Sequence, residues 1–229
     1  MIIHGIQKLT LLDFPGHTAC TVFLGGCDLR CPFCHNADLL DMSAPGVMED
    51  AELLAFLKKR QGLLEGVAFT GGEPLLRKDL PELMEKIRDL GYLVKLDTNG
   101  CHPEALKKVL EQRLVDYVAM DIKNSPERYA ETCGVERVDL DKINESISLL
   151  MHSAPDYEFR TTVVAQLHNA DSFRKIGPWL QGAKRYFLQS FTDRETVPFA
   201  GFSAPNKEDL KAYAELVRPY VASVALRGV

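Results

Sequence analysis

No stretch of the 229-residue sequence approaches the ~20 consecutive apolar residues that span a bilayer as a helix. A membrane protein is therefore not expected. Excess charge of one sign is also missing, since 27 Lys and Arg face 32 Asp and Glu for a formal net charge of −5. That balance shows no footprint for nucleic acid or an anionic membrane. Met1 to Leu12 has no basic segment followed by a long apolar run, which argues against a secretory leader and for a cytoplasmic protein. Cysteine is scarce and uneven, with six residues at 20, 27, 31, 34, 101 and 133, unlike the dense pattern of a disulfide-stapled secreted scaffold. Internal repeats, low-complexity tracts and linkers are absent. The chain reads as one domain over 1–229.

What is present is an ordinary globular composition, 46% hydrophobic and 26% charged, in a chain long enough to bury a full core. β-Branched and apolar runs at Thr18–Leu24, Val67–Thr70, Tyr92–Asp97, Tyr117–Ile122, Glu158–Val164 and Tyr186–Ser190 read as strands. Helical patterns fall between them at Asp50–Arg60, Leu80–Leu90, Glu104–Gln112, Asp141–His152 and Ser172–Leu180. The helix at Leu80 has Asp79 as an N-cap, Pro81 in its first turn and Gly91 as its stop. A last helix, Lys207–Val217, precedes a short strand at Ser223–Arg227. Alternating strands and helices imply a parallel sheet with right-handed crossovers. The strands look nearly continuous in apolar residues, as when both faces are covered. Six units fall short of the eight of a closed barrel, so the expected fold is α/β. It is a partial (β/α)6 barrel of parallel strands over 18–192, with an N-terminal β extension over 1–17 and a C-terminal helix and strand over 193–229. A doubly wound sheet is the second choice. Most chemically suggestive residues fall at strand C-termini, where barrel-like folds build their sites.

Cys27, Cys31 and Cys34 lie in Gly25-Gly26-Cys27-Asp28-Leu29-Arg30-Cys31-Pro32-Phe33-Cys34-His35-Asn36. Thiolates suit zinc or iron–sulfur centres. Closed zinc sites and all-cysteine clusters both want four ligands, and no fourth cysteine is local. His35 is an awkward fourth zinc ligand beside Cys34. Alternatively, the missing ligand leaves one iron open to substrate or cofactor. The Cys-x3-Cys-x2-Cys spacing, with aromatic Phe33 before the last cysteine, resembles the signature of the radical S-adenosylmethionine superfamily. Cys31-Pro32-Phe33-Cys34-His35-Asn36 resembles its glycyl-radical-enzyme activating branch. Over the whole length, including Leu226-Arg227-Gly228, the chain is similar to anaerobic ribonucleoside-triphosphate reductase activating proteins.

The resemblance implies a 4Fe–4S cluster on the three cysteines, bound S-adenosylmethionine, and a 5′-deoxyadenosyl radical that abstracts hydrogen from a glycine of a partner enzyme. It further implies a flavodoxin or ferredoxin as electron donor. Thr70-Gly71-Gly72-Glu73-Pro74 is similar to the family's Gly-Gly-Glu-Pro, whose backbone and Glu73 would meet the methionine amino group; two glycines let backbone approach a ligand closely. Leu96-Asp97-Thr98-Asn99-Gly100 would lie near the cofactor carboxylate. There Asp97 and Asp121 would form a site for a monovalent cation, and Lys123 would touch the cofactor. A plain ion pair between Asp121 and Lys123 is the alternative. Arg160 falls within a strand, where an unpaired charge is costly to bury, and by resemblance it meets the methionine carboxylate or ribose. Gln189 stands where pyruvate formate-lyase activators carry a histidine, next to adenine or ribose. Cysteine is lacking between the first motif and Gly71, so a single cluster is expected. Cys20, Cys101 and Cys133 receive no role. Two rival readings stand beside this one. One is a radical enzyme acting on a small molecule, as in 7-carboxy-7-deazaguanine synthases, and the other is a zinc-stabilised binding module.

Overall fold

A computed structural model describes residues 1–229. Its strands are β1 (Ile2–Ile3), β2 (Gly5–Thr10), β3 (Ala19–Leu24), β4 (Met48–Glu49), β5 (Gly66–Gly71), β6 (Leu93–Thr98), β7 (Tyr117–Asp121), β8 (Tyr157–Val163), β9 (Arg185–Ser190) and β10 (Ser223–Arg227). The helices are α1 (Asp50–Lys58), α2 (Leu80–Asp89), α3 (Pro103–Glu111), α4 (Tyr129–Cys133), α5 (Leu140–Ser153), α6 (Ala170–Trp179) and α7 (Lys207–Val217). An eight-stranded sheet runs in the order β10-β9-β8-β7-β6-β5-β3-β2. All neighbours are parallel except β2, which pairs antiparallel with β3 at one edge. The sheet is open because β2 and β10 do not pair, and this is the architecture of a partial barrel. β1 and β4 form a separate antiparallel ribbon.

The sequence-expected strands and helices recur with small shifts at their ends. Three features differ. The strand at 223–227 extends the barrel sheet in parallel register with β9, from Ser223 opposite Arg185 to Arg227 opposite Gln189. Asp79 occupies the N-cap position of α2, yet its side chain makes no capping bond and faces Arg77 at 3.5 Å. The strands are not apolar on both faces. Val67 and Phe69, Val94 and Leu96, Val118 and Met120, and Tyr186 and Leu188 point towards the helices and join one continuous core. The intervening residues of β6, β8 and β9 carry Lys95 and Asp97, Glu158 and Arg160, and Arg185 and Gln189. A separate small apolar cluster of Phe14, Ala19, Tyr117 and Ala119 lies away from the main core.

Each helix turns an apolar stripe to the sheet for the same reason. In α2, Leu80, Leu83, Met84 and Ile87 recur at helical spacing and are all buried. The helices thus bury the outer face, and the hydrophobic burial that holds the fold comes from that side. The concave face is left free to hold polar chemistry.

Candidate active site

The three thiols ring one cavity of about 270 Å³ at the C-terminal ends of the strands, lined also by Phe33, Gly71, Gly72, Asp97, Thr98, Asn99, Asp121, Lys123, Arg160 and Gln189. Every expected site residue except Glu73 therefore reaches the same space. Glu73 is fully buried behind the wall. Its carboxylate accepts bonds from the Thr98 hydroxyl at 2.9 Å, the Asn99 amide at 2.6 Å and the Leu75 amide at 3.0 Å. It braces the turn after β6. Burial pushes its pKa up to about 7 against those three bonds.

The loop after β3 carries the cysteines and is fixed from several directions. Gly26 N–H donates to Leu39 O at 2.8 Å, and Glu73 N–H donates to Gly26 O at 2.7 Å. The Asn36 amide donates to Gly71 O at 2.9 Å. Asp28 accepts from the Asn99 amide at 2.9 Å and pairs with His102 at 3.1 Å. Arg30 N–H donates to Cys133 O at 2.9 Å, which docks the loop on α4. His35 stacks on Phe191 with ring centroids 5.4 Å apart, and its Nε2 lies 2.7 Å from Thr192 O. That contact joins the loop after β3 to the loop after β9.

Gly71 and Gly72 are required by close backbone approach. Gly71 has φ +113°, and a Cβ there would lie 2.4 Å from Leu24 O. A Cβ on Gly72 would lie 2.1 Å from Gly26 O. The bare backbone of β5 thus abuts the segment leading to Cys27, and both line the cavity.

A charged network forms the floor. Arg160 Nε meets Asp121 Oδ1 at 2.6 Å, and Arg160 Nη2 meets Asp97 Oδ2 at 3.1 Å. Lys123 meets Asp121 Oδ2 at 2.8 Å, and Lys95 pairs with Asp97 Oδ1. The plain Asp121–Lys123 ion pair is therefore present, and both partners still face the cavity. Burial opposes ionisation of Asp97 and Asp121, but Arg160 with Lys95 and Lys123 outweighs it and holds both carboxyls below their usual range.

Burial raises the Cys27 thiol to about 11 and raises Cys34 as well. Cys31 is drawn down to about 7, chiefly by the neighbouring Cys133 thiol and, against burial, by Lys123. No three His, Cys, Asp or Glu side chains converge closely enough to hold a single metal ion. A zinc ion gathers its thiolates at about 2.3 Å from one centre, whereas an iron–sulfur cluster spreads them around a larger body. Three thiols spaced around one cavity, with two cradling glycines, fit the cluster. They lack the fourth protein ligand that a closed zinc site requires.

A sequence model described as the Radical SAM superfamily matches residues 21–170. The chain belongs to that superfamily. A radical SAM enzyme works through a 4Fe–4S cluster and S-adenosylmethionine. A Methanocaldococcus jannaschii protein named for glycyl-radical enzyme activation is 27% identical over 239 residues, covering 100% of this chain and 96% of its own length. The pyruvate formate-lyase-activating enzyme of Clostridium pasteurianum is 33% identical over 127 residues, about half of each chain at 53% and 52%. Among solved structures, Streptococcus suis SuiB bound to its precursor peptide SuiA superposes with a TM-score of 0.72 at 14% identity, over 91% of this chain and 48% of that one. This last likeness concerns the radical SAM fold.

The cavity also contains residues that sequence reasoning left unassigned, namely Asp13, His35, Asn36 and Thr162. Thr162 lies two residues beyond Arg160 on β8, so strand alternation could have found it. Asp13 had no such signal, because it precedes β3 and reaches inward by accepting a 2.5 Å bond from Thr21. Cys133 is remote from the cysteine motif in sequence and meets Cys31 only through the packing of α4.

Proposed function

We propose that this radical SAM enzyme activates a glycyl-radical enzyme, and that the partner is an anaerobic ribonucleoside-triphosphate reductase. The end-to-end correspondence with the M. jannaschii protein carries the activating role, since it spans both chains almost completely. The reductase as partner is supported by Gln189 in place of the histidine of pyruvate formate-lyase activators and by the lack of a cysteine-rich insertion before Gly71. A flavodoxin or ferredoxin supplies the electron.

In this reading Cys27, Cys31 and Cys34 hold the cluster. When bound, the reduced cluster supplies one electron and S-adenosylmethionine supplies the hydrogen-abstracting 5′-deoxyadenosyl group. The chain's own work is positioning and electrostatics. Gly71 and Gly72 offer backbone without steric obstruction, and Thr98 and Asn99 offer polar contacts at the end of β6. Lys123 and Arg160 present positive charge to a ligand carboxylate. Phe33 and Gln189 flank the adenosine side. Leu29 and Leu40 add apolar wall to the cavity, which limits water.

The test is anaerobic iron–sulfur reconstitution, dithionite reduction and incubation with S-adenosylmethionine, with and without a purified anaerobic reductase. Formation of 5′-deoxyadenosine that Cys31→Ala abolishes, together with a glycyl-radical signal on the reductase, is the expected result. Cleavage without that signal removes the reductase as partner. A colourless, zinc-loaded protein that leaves S-adenosylmethionine intact overturns the whole reading.

A further inference from the structure

The expected monovalent-cation site does not fit the geometry. All four oxygens of Asp97 and Asp121 already face a cationic side chain. Lys95 takes Asp97 Oδ1, Arg160 takes Asp97 Oδ2 at 3.1 Å and Asp121 Oδ1 at 2.6 Å, and Lys123 takes Asp121 Oδ2 at 2.8 Å. A metal cation on any of these oxygens would sit directly beside an ammonium or guanidinium, and that like-charge repulsion would have to be met by displacing the side chain. Lys95 is only 2% exposed, and its single hydrogen bond is the one to Asp97. Displacing it would strand a buried ammonium without a partner, which is strongly unfavourable.

The sheet register explains why Lys95 sits there. Lys95 and Asp97 are two residues apart on β6 and so share the concave face. Lys95 is flanked by Ala68 on β5 and Tyr117 on β7, and Asp97 by Ala119 on β7. The small alanines leave room for the lysine stem beneath the cavity. The count of charges is also informative. Within this network Lys95, Lys123 and Arg160 bring three positive charges against the two carboxylates of Asp97 and Asp121, while Asp13 adds a third carboxylate elsewhere on the cavity wall. The extra positive charge of the network suits the carboxylate of S-adenosylmethionine. Without Lys95 the floor would be neutral, and a bound carboxylate would need a cation from solution.

We infer that the Lys95 ammonium is a tethered internal cation. It takes the place of a dissolved potassium or sodium ion in the cofactor site, so cofactor binding is independent of monovalent cations. This rests on the reading of the cavity as the S-adenosylmethionine site. Lys95 is a positioning residue that acts through Asp97.

The test measures the affinity of the anaerobically reconstituted holoenzyme for S-adenosylmethionine by equilibrium dialysis. Potassium, sodium and choline chlorides are compared at equal ionic strength, which holds general screening constant. The wild type is expected to bind equally in all three salts. Lys95→Met keeps most of the stem volume, and its affinity is expected to fall by about tenfold or more in choline, as for removal of one partner of a buried pair. Potassium or sodium should recover much of that loss, whereas a purely structural role for Lys95 would give a loss no small cation repairs. In parallel, sodium-23 NMR relaxation reports a cation site in Lys95→Met that the wild type lacks. Wild-type affinity that drops about tenfold in choline overturns the inference, as does a sodium site in the wild-type protein. If S-adenosylmethionine fails to bind in every salt, the cavity reading fails instead, and sodium relaxation still decides whether Lys95 fills the cation position.

Discussion

Replacing Gly72 by alanine should act on the cysteine loop through backbone, where no rotamer change can give relief. The new methyl would lie 2.1 Å from Gly26 O, 2.7 Å from Gly26 C and 3.2 Å from Leu39 O. Relief to an ordinary contact requires about 1.4 Å of movement in the segment just before Cys27, since nonbonded contacts settle near 3.5 Å. The displaced atom also accepts the Glu73 N–H at 2.7 Å. Overpacking of this kind costs about 1–3 kcal/mol, and a weakened hydrogen bond adds about 1 kcal/mol. A total of about 2–4 kcal/mol leaves a domain of typical stability folded but lowers its melting temperature by roughly 4–16 °C at this chain length. The displaced loop should also take up less iron. The assay combines an anaerobic circular-dichroism melt with iron and sulfide stoichiometry after reconstitution. Gly62→Ala is the control. It has φ +79° with nothing within 4 Å of a Cβ, so it brings backbone strain without a clash near the cysteines. A Gly72→Ala protein that melts within about 1 °C of the wild type, where the clash requires several degrees, and that holds full iron would refute the role assigned to this contact.

Two further perturbations address the concave face. Arg160→Met removes the guanidinium that spans Asp97 and Asp121. It should cost about 2–4 kcal/mol at neutral pH, because two partly buried carboxylates lose a partner, discounted from the full buried-pair value for their residual exposure, and S-adenosylmethionine affinity should fall with it. The pH dependence has a definite sign. Both carboxyls are held below their ordinary value in the folded wild type, so their stabilisation is present above an unfolded pKa of about 3.9 and fades as pH falls through the depressed folded values. The acid-unfolding midpoint of Arg160→Met should therefore lie at higher pH than that of the wild type, and an unchanged midpoint would count against the network. Arg227→Met breaks the bidentate pair in which Arg227 on β10 reaches past Phe187 to Glu158 on β8 at 2.6 and 2.8 Å. Glu158 is 1% exposed and would keep only the Tyr117 hydroxyl at 2.7 Å. A loss of about 3 kcal/mol is expected, discounted from the full buried-pair value for the partial exposure of Arg227. Iron content should stay unchanged, because this pair is not among the residues lining the cysteine cavity.

The cysteine spacing, the double glycine and the positions of the strands are local properties, and local sequence carried them. A run such as Val-Ala-Phe-Thr-Gly-Gly specifies a strand that ends in a tight turn whatever surrounds it. Amphipathic stripes such as Leu80, Leu83, Met84 and Ile87 likewise fix which helix face is buried, and with it the side of the sheet that holds the core. Ten of the eleven residues expected around the cofactor reach one cavity because strand C-termini gather on one rim of any barrel-like sheet.

Pairings between strands were not available to the same reading. Which cation meets which carboxylate depends on register, and a slip of one residue turns a side chain to the opposite face. The register of β6, β7 and β8 alone brings Lys95, Lys123 and Arg160 onto Asp97 and Asp121. Its motif suggests Glu73 as a ligand contact, and only the turn after β5 shows that its carboxylate is held inward by Thr98 and Asn99. Cys133 approaches Cys31 only when α4 docks against the loop, and Asp13 enters the cavity only when β2 folds back on β3. Sequence therefore determined the chemical inventory and the rim on which it collects, because short-range pattern controls secondary structure. Tertiary structure decided the partners of each charge, because ion pairing follows distances that the chain sets only after its strands have found their register.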